Sequence, residues 1–259
     1  MSGQRVFITG ASSGIGAALA AQYASQGAVL GLLGRRGDAL DRLIASLPHP
    51  EQHRAYVVDV RDHAAIAAAA RDFLIHAGGI DVVIANAGIS VGTLTEFAED
   101  IAVFENIIAT NVVATAATFA PFIAAMRAQR TPARLVGIGS VAGIRGLPGA
   151  EAYSASKAAV ISYCESLRLE MKPYGIKVVT LCPGYIDTPM TKVNPYPMPF
   201  LMAPDKFAAR AARTIAAGAS YAVIPWQMGV VAKALRLLPN AVYDFAFARA
   251  PHKPRKAGP

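Results

Sequence analysis

"RVFITGASSGIGAALAAQYASQGAVLGLLG" (residues 5–34) joins a strand-like run, a glycine-rich turn, a helical run and a second strand-like run without interruption. "RVFIT" (5–9) is short and apolar, "GIGAALAAQYASQG" (14–27) is alanine-rich and closes on Gly27, and "AVLGLLG" (28–34) is apolar again. Strand, helix and second strand make a βαβ unit, which predicts parallel pairing with a right-handed crossover. In the turn "TGASSGIG" (9–16), Gly10 allows a tight bend, Gly14 lets the backbone approach a ligand, and Gly16 lets the helix pack near the sheet. Ser12, Ser13 and Ile15 complete a helix N-terminus whose free N–H groups and partial positive charge suit a pyrophosphate. The spacing is G-x-x-x-G-x-G rather than G-x-G-x-x-G. A bare turn uses the same glycines, but a first-strand position points to a dinucleotide.

The same alternation continues outward. Strands are predicted over 54–60, 80–88, 133–140, 176–184 and 221–225, and helices over 37–47, 62 to about 76, about 99–128 and 151–170. Asp62 is placed to cap the third helix. The strands are continuous apolar runs, as in a parallel sheet buried on both faces. The expectation is an α/β chain with one Rossmann-like, doubly wound domain over 1–225, a seven-stranded parallel sheet flanked by helices. Residues 226–259 read as an apolar helical extension and a basic tail, not a separate domain.

Of 259 residues, 54% are hydrophobic and 16% charged, which argues for a large core and against disorder. No uninterrupted apolar run reaches the roughly 18 residues that favour a spanning helix. "MSGQRVFITG" enters the first strand directly, leaving no room for a signal peptide. Cys164 and Cys182 lack metal-like spacing and read as buried core thiols, which suggests a reducing cytoplasm and gives no metal site. The net charge of +8 is scattered, apart from the tail "PHKPRKAGP". No basic stripe is interleaved with aromatics, so nucleic acid is not an expected partner.

The second strand ends in Gly34-Arg35-Arg36, where an NAD-preferring site places an acidic residue for the ribose 2′-hydroxyl. A guanidinium here can grip a 2′-phosphate, so NADP(H) is preferred, with NAD(H) possible and Arg35 the expected contact. Two solvated arginines are the alternative. Ser13 stands where a second basic residue would strengthen the case.

Tyr153 and Lys157 lie four residues apart on a predicted helix and therefore on one face. An ammonium near a phenol lowers its pKa, and a phenol so tuned can exchange a proton with a carbonyl or alcohol oxygen. Ser140 ends a strand where open α/β sheets bind ligands, and its hydroxyl can hold a carbonyl oxygen. Asn111 is a polar amide inside an apolar helical run, which needs hydrogen-bond partners or a capping water.

Together these residues resemble the short-chain dehydrogenase/reductases. The resemblance runs through "TGASSGIG" (9–16), "DV" (59–60), "NAG" (86–88), Asn111, Ser140, "YSASK" (153–157), "PG" (183–184) and "IDT" (186–188). It implies an oxidoreductase in which Tyr153 is the general acid/base and Ser140 orients the carbonyl. Lys157 lowers the phenol pKa and holds the nicotinamide ribose, and Asn111 holds a relay water. It further implies that Asp59 bonds the adenine, with Val60 beside it, and that Asn86, Ala87 and Gly88 floor the coenzyme site. Pro183, Gly184, Ile186 and Thr188 would line its nicotinamide end. The family's habit predicts a homodimer or homotetramer. Gly139 departs from the serine many relatives have there.

Residues 185–207 form the expected lid, where Met190, Met198, Phe200, Leu201 and Met202 suit a bulky apolar substrate or simply pack on the protein. Over 226–253, two apolar helical segments break at Pro239. They fit either packing on the domain or a partner subunit, or a peripheral membrane contact. A silent dinucleotide-binding regulator and a membrane-surface scaffold are the competing readings.

Overall fold

The computed structural model describes residues 3–129 and 131–255. Seven parallel strands form one sheet, β1 (Arg5–Thr9), β2 (Val29–Gly34), β3 (Arg54–Val57), β4 (Val82–Ala85), β5 (Arg134–Ile138), β6 (Lys177–Pro183) and β7 (Tyr221–Ile224). Their order is β3-β2-β1-β4-β5-β6-β7, the doubly wound arrangement expected from the alternation. The order reverses between β1 and β4, so the loops after them diverge and open a crevice at the carboxyl edge of the sheet.

Helices α1 (Gly14–Ala24), α2 (Gly37–Ser46) and α7 (Pro204–Ala217) lie on one face. There Val6, Ile8, Leu30 and Leu32 pack with Leu19, Leu40, Phe207 and Ile215. On the other face lie α3 (His63–Ala77), α4 (Asp100–Ile108), α5 (Ala114–Ala128) and α6 (Glu151–Met171). Phe7, Leu33, Val83 and Leu135 meet Phe73, Phe119, Phe122 and Leu167 there. Adjacent residues of β1 thus feed opposite cores, which is why its sequence is apolar throughout. Asp62 caps α3 as its sequence predicts, its side chain accepting from Ala65 N at 2.9 Å. Cys164 and Cys182 are buried free thiols, and burial pushes the Cys164 thiol up to about 12.

Several boundaries differ from the expected ones for physical reasons. β3 stops at Val57 and β4 at Ala85, because residues 58–60 and 86–88 turn away to line the crevice. α4 and α5 join through a widened turn at Ala109–Val113. The resulting helical run Asp100–Ala128 is long and apolar enough to cross a membrane, but it packs on α3 and α6. The lid ends earlier than residue 207, since Pro204 opens α7.

α8 (Trp226–Leu237) and α9 (Asn240–Phe247) break at Pro239 as expected. Of the alternatives for this segment, the described contacts are with its own domain. The Arg145 guanidinium lies 4.1 Å over the Tyr243 ring, and the Tyr243 hydroxyl donates to Gly146 O at 2.6 Å.

In β2, a Cβ at Gly31 would sit 2.6 Å from Phe7 Cδ2 and 2.7 Å from Phe73 Cδ2. Gly31→Ala is therefore expected to lower stability by about 1–3 kcal/mol, the usual cost of overpacking. Urea denaturation measures it, and an unchanged midpoint would mean the two rings yield freely.

Candidate active site

The crevice is built first by backbone. Gly10 and Gly14 adopt φ of +67° and +57°, conformations that L side chains rarely hold. Asn86 braces the turn from β4, donating through Nδ2 to Thr9 O at 3.0 Å and Gly10 O at 3.2 Å. Thr9 Oγ1 accepts from the N–H groups of Asn86 and Ala87, both at 3.2 Å. A Cβ at Gly16 would sit 2.6 Å from Asn86 Nδ2, so the helix can start here only without a side chain. Gly14 faces Thr188, whose Cγ2 would lie 3.2 Å from an added Cβ. The loops after β1, β4 and β6 therefore meet around one cleft.

Nearly every residue singled out in the sequence lines that cleft. Gly10, Ser12, Ser13, Gly14, Ile15, Arg35, Arg36, Asp59 and Val60 line one end, with Asn86, Ala87 and Gly88 along the floor. Ser140, Tyr153, Lys157, Pro183, Gly184, Ile186 and Thr188 line the other. Gly16 and Asn111 stand behind the wall. Thr9, Ile89, Thr110 and Ile138 belong to the site or its support and were not singled out; their apolar or β-branched side chains read only as strand and helix fillers.

At the first end, Arg36 reaches back to the glycine-rich turn. Its Nη2 donates to Ser13 Oγ at 2.8 Å, Ser12 Oγ at 3.1 Å and Ser12 O at 3.2 Å. Arg35 lines the cleft without a hydrogen bond to another described residue. Asp59 is already engaged. Arg61 holds both its oxygens, at 2.7 Å to Oδ2 and 3.1 Å to Oδ1, and keeps its carboxyl down to about 2.

At the second end, Ser140 caps a short 3-10 turn, its Oγ accepting from Ala142 N at 3.1 Å. Its hydroxyl shares this end of the cleft with the Tyr153 phenol. Lys157 is 5% exposed and donates from Nζ to Ile138 O at 2.8 Å, with Nζ 5.8 Å from the centre of the Tyr153 ring. Tyrosine and lysine do share one face of α6.

The expected pKa effect is not what the chain's own groups produce. Burial pushes the Tyr153 phenol up, and the nearby Ser140 hydroxyl offsets this only in part. Burial meanwhile lowers the Lys157 ammonium to about 8. With its ammonium tied to the Ile138 carbonyl, Lys157 is not among the groups that pull the phenol down.

Asn111 has the hydrogen-bond partners that a polar amide in an apolar helix needs, rather than the alternative of a capping water. Oδ1 accepts from Ile89 N at 2.8 Å, and Nδ2 donates to Ile89 O at 3.0 Å and Ser156 Oγ at 2.9 Å. The amide thus ties the loop after β4 to α6. A Cβ at Gly88 would fall 3.2 Å from Asn111 Oδ1 and 3.5 Å from Lys157 Nζ, so this glycine keeps a polar space open between the two.

A family profile described as short chain dehydrogenase matches residues 4–196. The chain belongs to the short-chain dehydrogenase/reductase family. An uncharacterized oxidoreductase of Myxococcus xanthus (strain DK1622) is 36% identical over 255 residues, covering 96% of this chain and 98% of its own. One from Mycobacterium tuberculosis is 41% identical over 192 residues, 73% of this chain and 75% of its own. A solved 3-ketoacyl-(acyl-carrier-protein) reductase from Brucella melitensis, complexed with NADH, has a TM-score of 0.79 at 26% identity. The match covers 86% of this chain and 97% of that one. As a short-chain dehydrogenase/reductase, the chain is an oxidoreductase acting on CH–OH groups with NAD(P).

The low Lys157 pKa has a consequence for stability. Below about 8 the folded protein must hold a buried cation that the unfolded chain leaves in water; above the ordinary value of 10.5 the group is neutral in both states. The destabilisation is therefore full at low pH and fades as pH rises through that window. Replacing the charge by Lys157→Met should raise the melting temperature more at about pH 7 than at about pH 10. Equal shifts at both pH values would show that burial of the charge is not its source.

Proposed function

We propose that the chain is an NADP(H)-dependent oxidoreductase that interconverts a carbonyl compound with an apolar body and its secondary alcohol. The observation that carries this reading is that Ser140 and Tyr153, the latter one helical turn from buried Lys157, share the wall of the cleft that the glycine-rich turn opens. A bound nicotinamide supplies hydride to the carbonyl carbon. Ser140 positions the carbonyl oxygen by hydrogen bond, and Tyr153 gives that oxygen its proton. Lys157 then returns a proton to Tyr153, and a water held by Asn111 would resupply Lys157 across the space that Gly88 keeps open. Lys157 would also hold the ribose hydroxyls, with its ammonium turned from Ile138 toward the phenol.

The chain's residues fit the dinucleotide. The turn over 10–16 would take the pyrophosphate above Asn86, Ala87 and Gly88, and Ile186 and Thr188 would meet the carboxamide. Asp59 and Val60 would flank the adenine, with Asp59 already one half of an ion pair with Arg61. The preference for NADP(H) rests on two guanidinium groups and no carboxylate at the end of β2. Arg36 bridges to Ser12 and Ser13, bringing positive charge to the place where the sequence lacks a second basic residue, and Arg35 is left for the 2′-phosphate. The Brucella reductase, complexed with NADH, is the counter-case.

Two buried thiols fit a cytoplasmic enzyme. Exposed Ile101, Val113 and Leu169 leave apolar surface on the long helices for a homodimer or homotetramer.

A panel of aldehydes and ketones with NADPH and NADH, read by loss of nicotinamide absorbance, tests the reading directly. Tyr153→Phe should lower the rate at least about 10²-fold without unfolding the protein; a smaller loss would remove the phenol from the chemistry. Arg35→Asp should weaken NADPH by about 10- to 100-fold and leave NADH within a few-fold. An unchanged preference would move the phosphate contact elsewhere.

A further inference from the structure

The stretch 251–255, read from its sequence as part of a solvated basic tail, lies across the carboxyl edge of the sheet. Gly92 N donates to Pro254 O at 3.1 Å, and Gly92 pairs with Arg255. Arg255 clamps the end, bonding Asp100 at 2.7 and 3.1 Å and Glu99 at 3.1 Å, with its guanidinium 3.5 Å over the Phe97 ring. His252 packs on Gly149, just before α6. The strap thus spans the loops after β4 and β5, and its centre reaches the lid.

That centre is Lys253. It is 8% exposed, and Nζ donates to Ser90 Oγ at 2.9 Å and more weakly to Met190 O at 3.5 Å. Both partners are neutral. Among the described residues no carboxylate pairs with it, and the acids nearest in the strap's path, Glu99 and Asp100, belong to Arg255. A buried ammonium without a counter-charge is costly. Its surroundings are those of the candidate active site. Ser90 follows Ile89, which lines the cleft together with Gly88, and Met190 lines the same cleft from the lid.

We infer that Lys253 is a specificity-determining residue that receives an acidic group of the substrate, so the favoured carbonyl compound is a keto acid with an apolar body. This rests on the carbonyl–alcohol reading above. Burial also lowers the ammonium's pKa, as expected for a cation that lacks its partner. An anionic oxygen could equally come from a coenzyme phosphate, and the experiment separates the two.

Levulinate and 4-acetylbenzoate are compared with their methyl esters, using NADPH, in the wild type, Lys253→Met and Lys253→Arg. The wild type should favour the acids by about 10-fold or more in kcat/KM, the range of a charge-assisted hydrogen bond. Lys253→Met should erase that advantage mainly through KM, and Lys253→Arg should keep part of it. The esters and the Kd of NADPH should change less than about 2-fold, within ordinary variation for a distant group. The inference is overturned if the wild type has no acid preference, if Lys253→Met harms acid and ester alike, or if only NADPH binding weakens. A wild type that reduces the neutral ketones but favours no acid contradicts this inference alone. One that oxidises NADPH with no carbonyl compound contradicts the reading on which it rests.

Discussion

The burial of Lys157 constrains the rest of the active-site half of the molecule. An ammonium cut off from water must find an acceptor, and among the described residues that acceptor is the carbonyl of Ile138 at the end of β5. α6 must therefore lie close on that strand. Close packing leaves no room for side chains between them: a Cβ at Gly143 would fall 2.6 Å from the Lys157 carbonyl carbon, and one at Gly137 would strike the Cys164 sulfur. Once α6 is seated, Tyr153 comes one turn earlier on the same face, beside the hydroxyl that β5 delivers at Ser140. Tyr153 and Lys157 are thus placed by packing rather than by flexible loops.

The coenzyme end follows a different logic, in which one side chain supports a backbone. Asn86 spends its amide on the carbonyls of Thr9 and Gly10, and Thr9 returns its hydroxyl to two N–H groups of the β4 loop. The turn after β1 and the floor after β4 are therefore one hydrogen-bonded unit across the point where the strand order reverses. Arg36, tied to Ser12 and Ser13, adds positive charge to the rim of that unit. Asn111 plays the matching part at the other end, joining Ile89 to Ser156 on α6.

Most of this architecture was legible because buried parallel strands must be apolar and a phosphate-cradling turn needs glycine at spaced positions. The doubly wound parallel arrangement followed from the strand–helix alternation and right-handed connections. What was not legible depended on partners distant in sequence. The strand-like apolar runs over 58–60 and 86–88 contain the polar residues Asp59 and Asn86, yet periodicity alone gives no reason for the chain to leave the sheet there. Asp59 looked free for adenine because its neighbour Arg61 was not weighed as a partner. The direction of the Tyr153 shift was missed because helical spacing reports which side chains share a face, not where a lysine's long stem carries its charge. Lys253 was invisible for the opposite reason: in "PHKPRK" it resembles any solvated tail lysine, and only the fold sets it beneath the lid.

The account needs the phenol to be hard to ionise in the protein alone and easier beside bound coenzyme, when Lys157 turns from Ile138 toward it. Titrating phenolate absorbance in the wild type, with Tyr153→Phe subtracted, in the absence and presence of saturating NADP+, measures this directly. The account predicts that the coenzyme lowers the Tyr153 pKa by at least about one unit. An identical titration with and without coenzyme would contradict it.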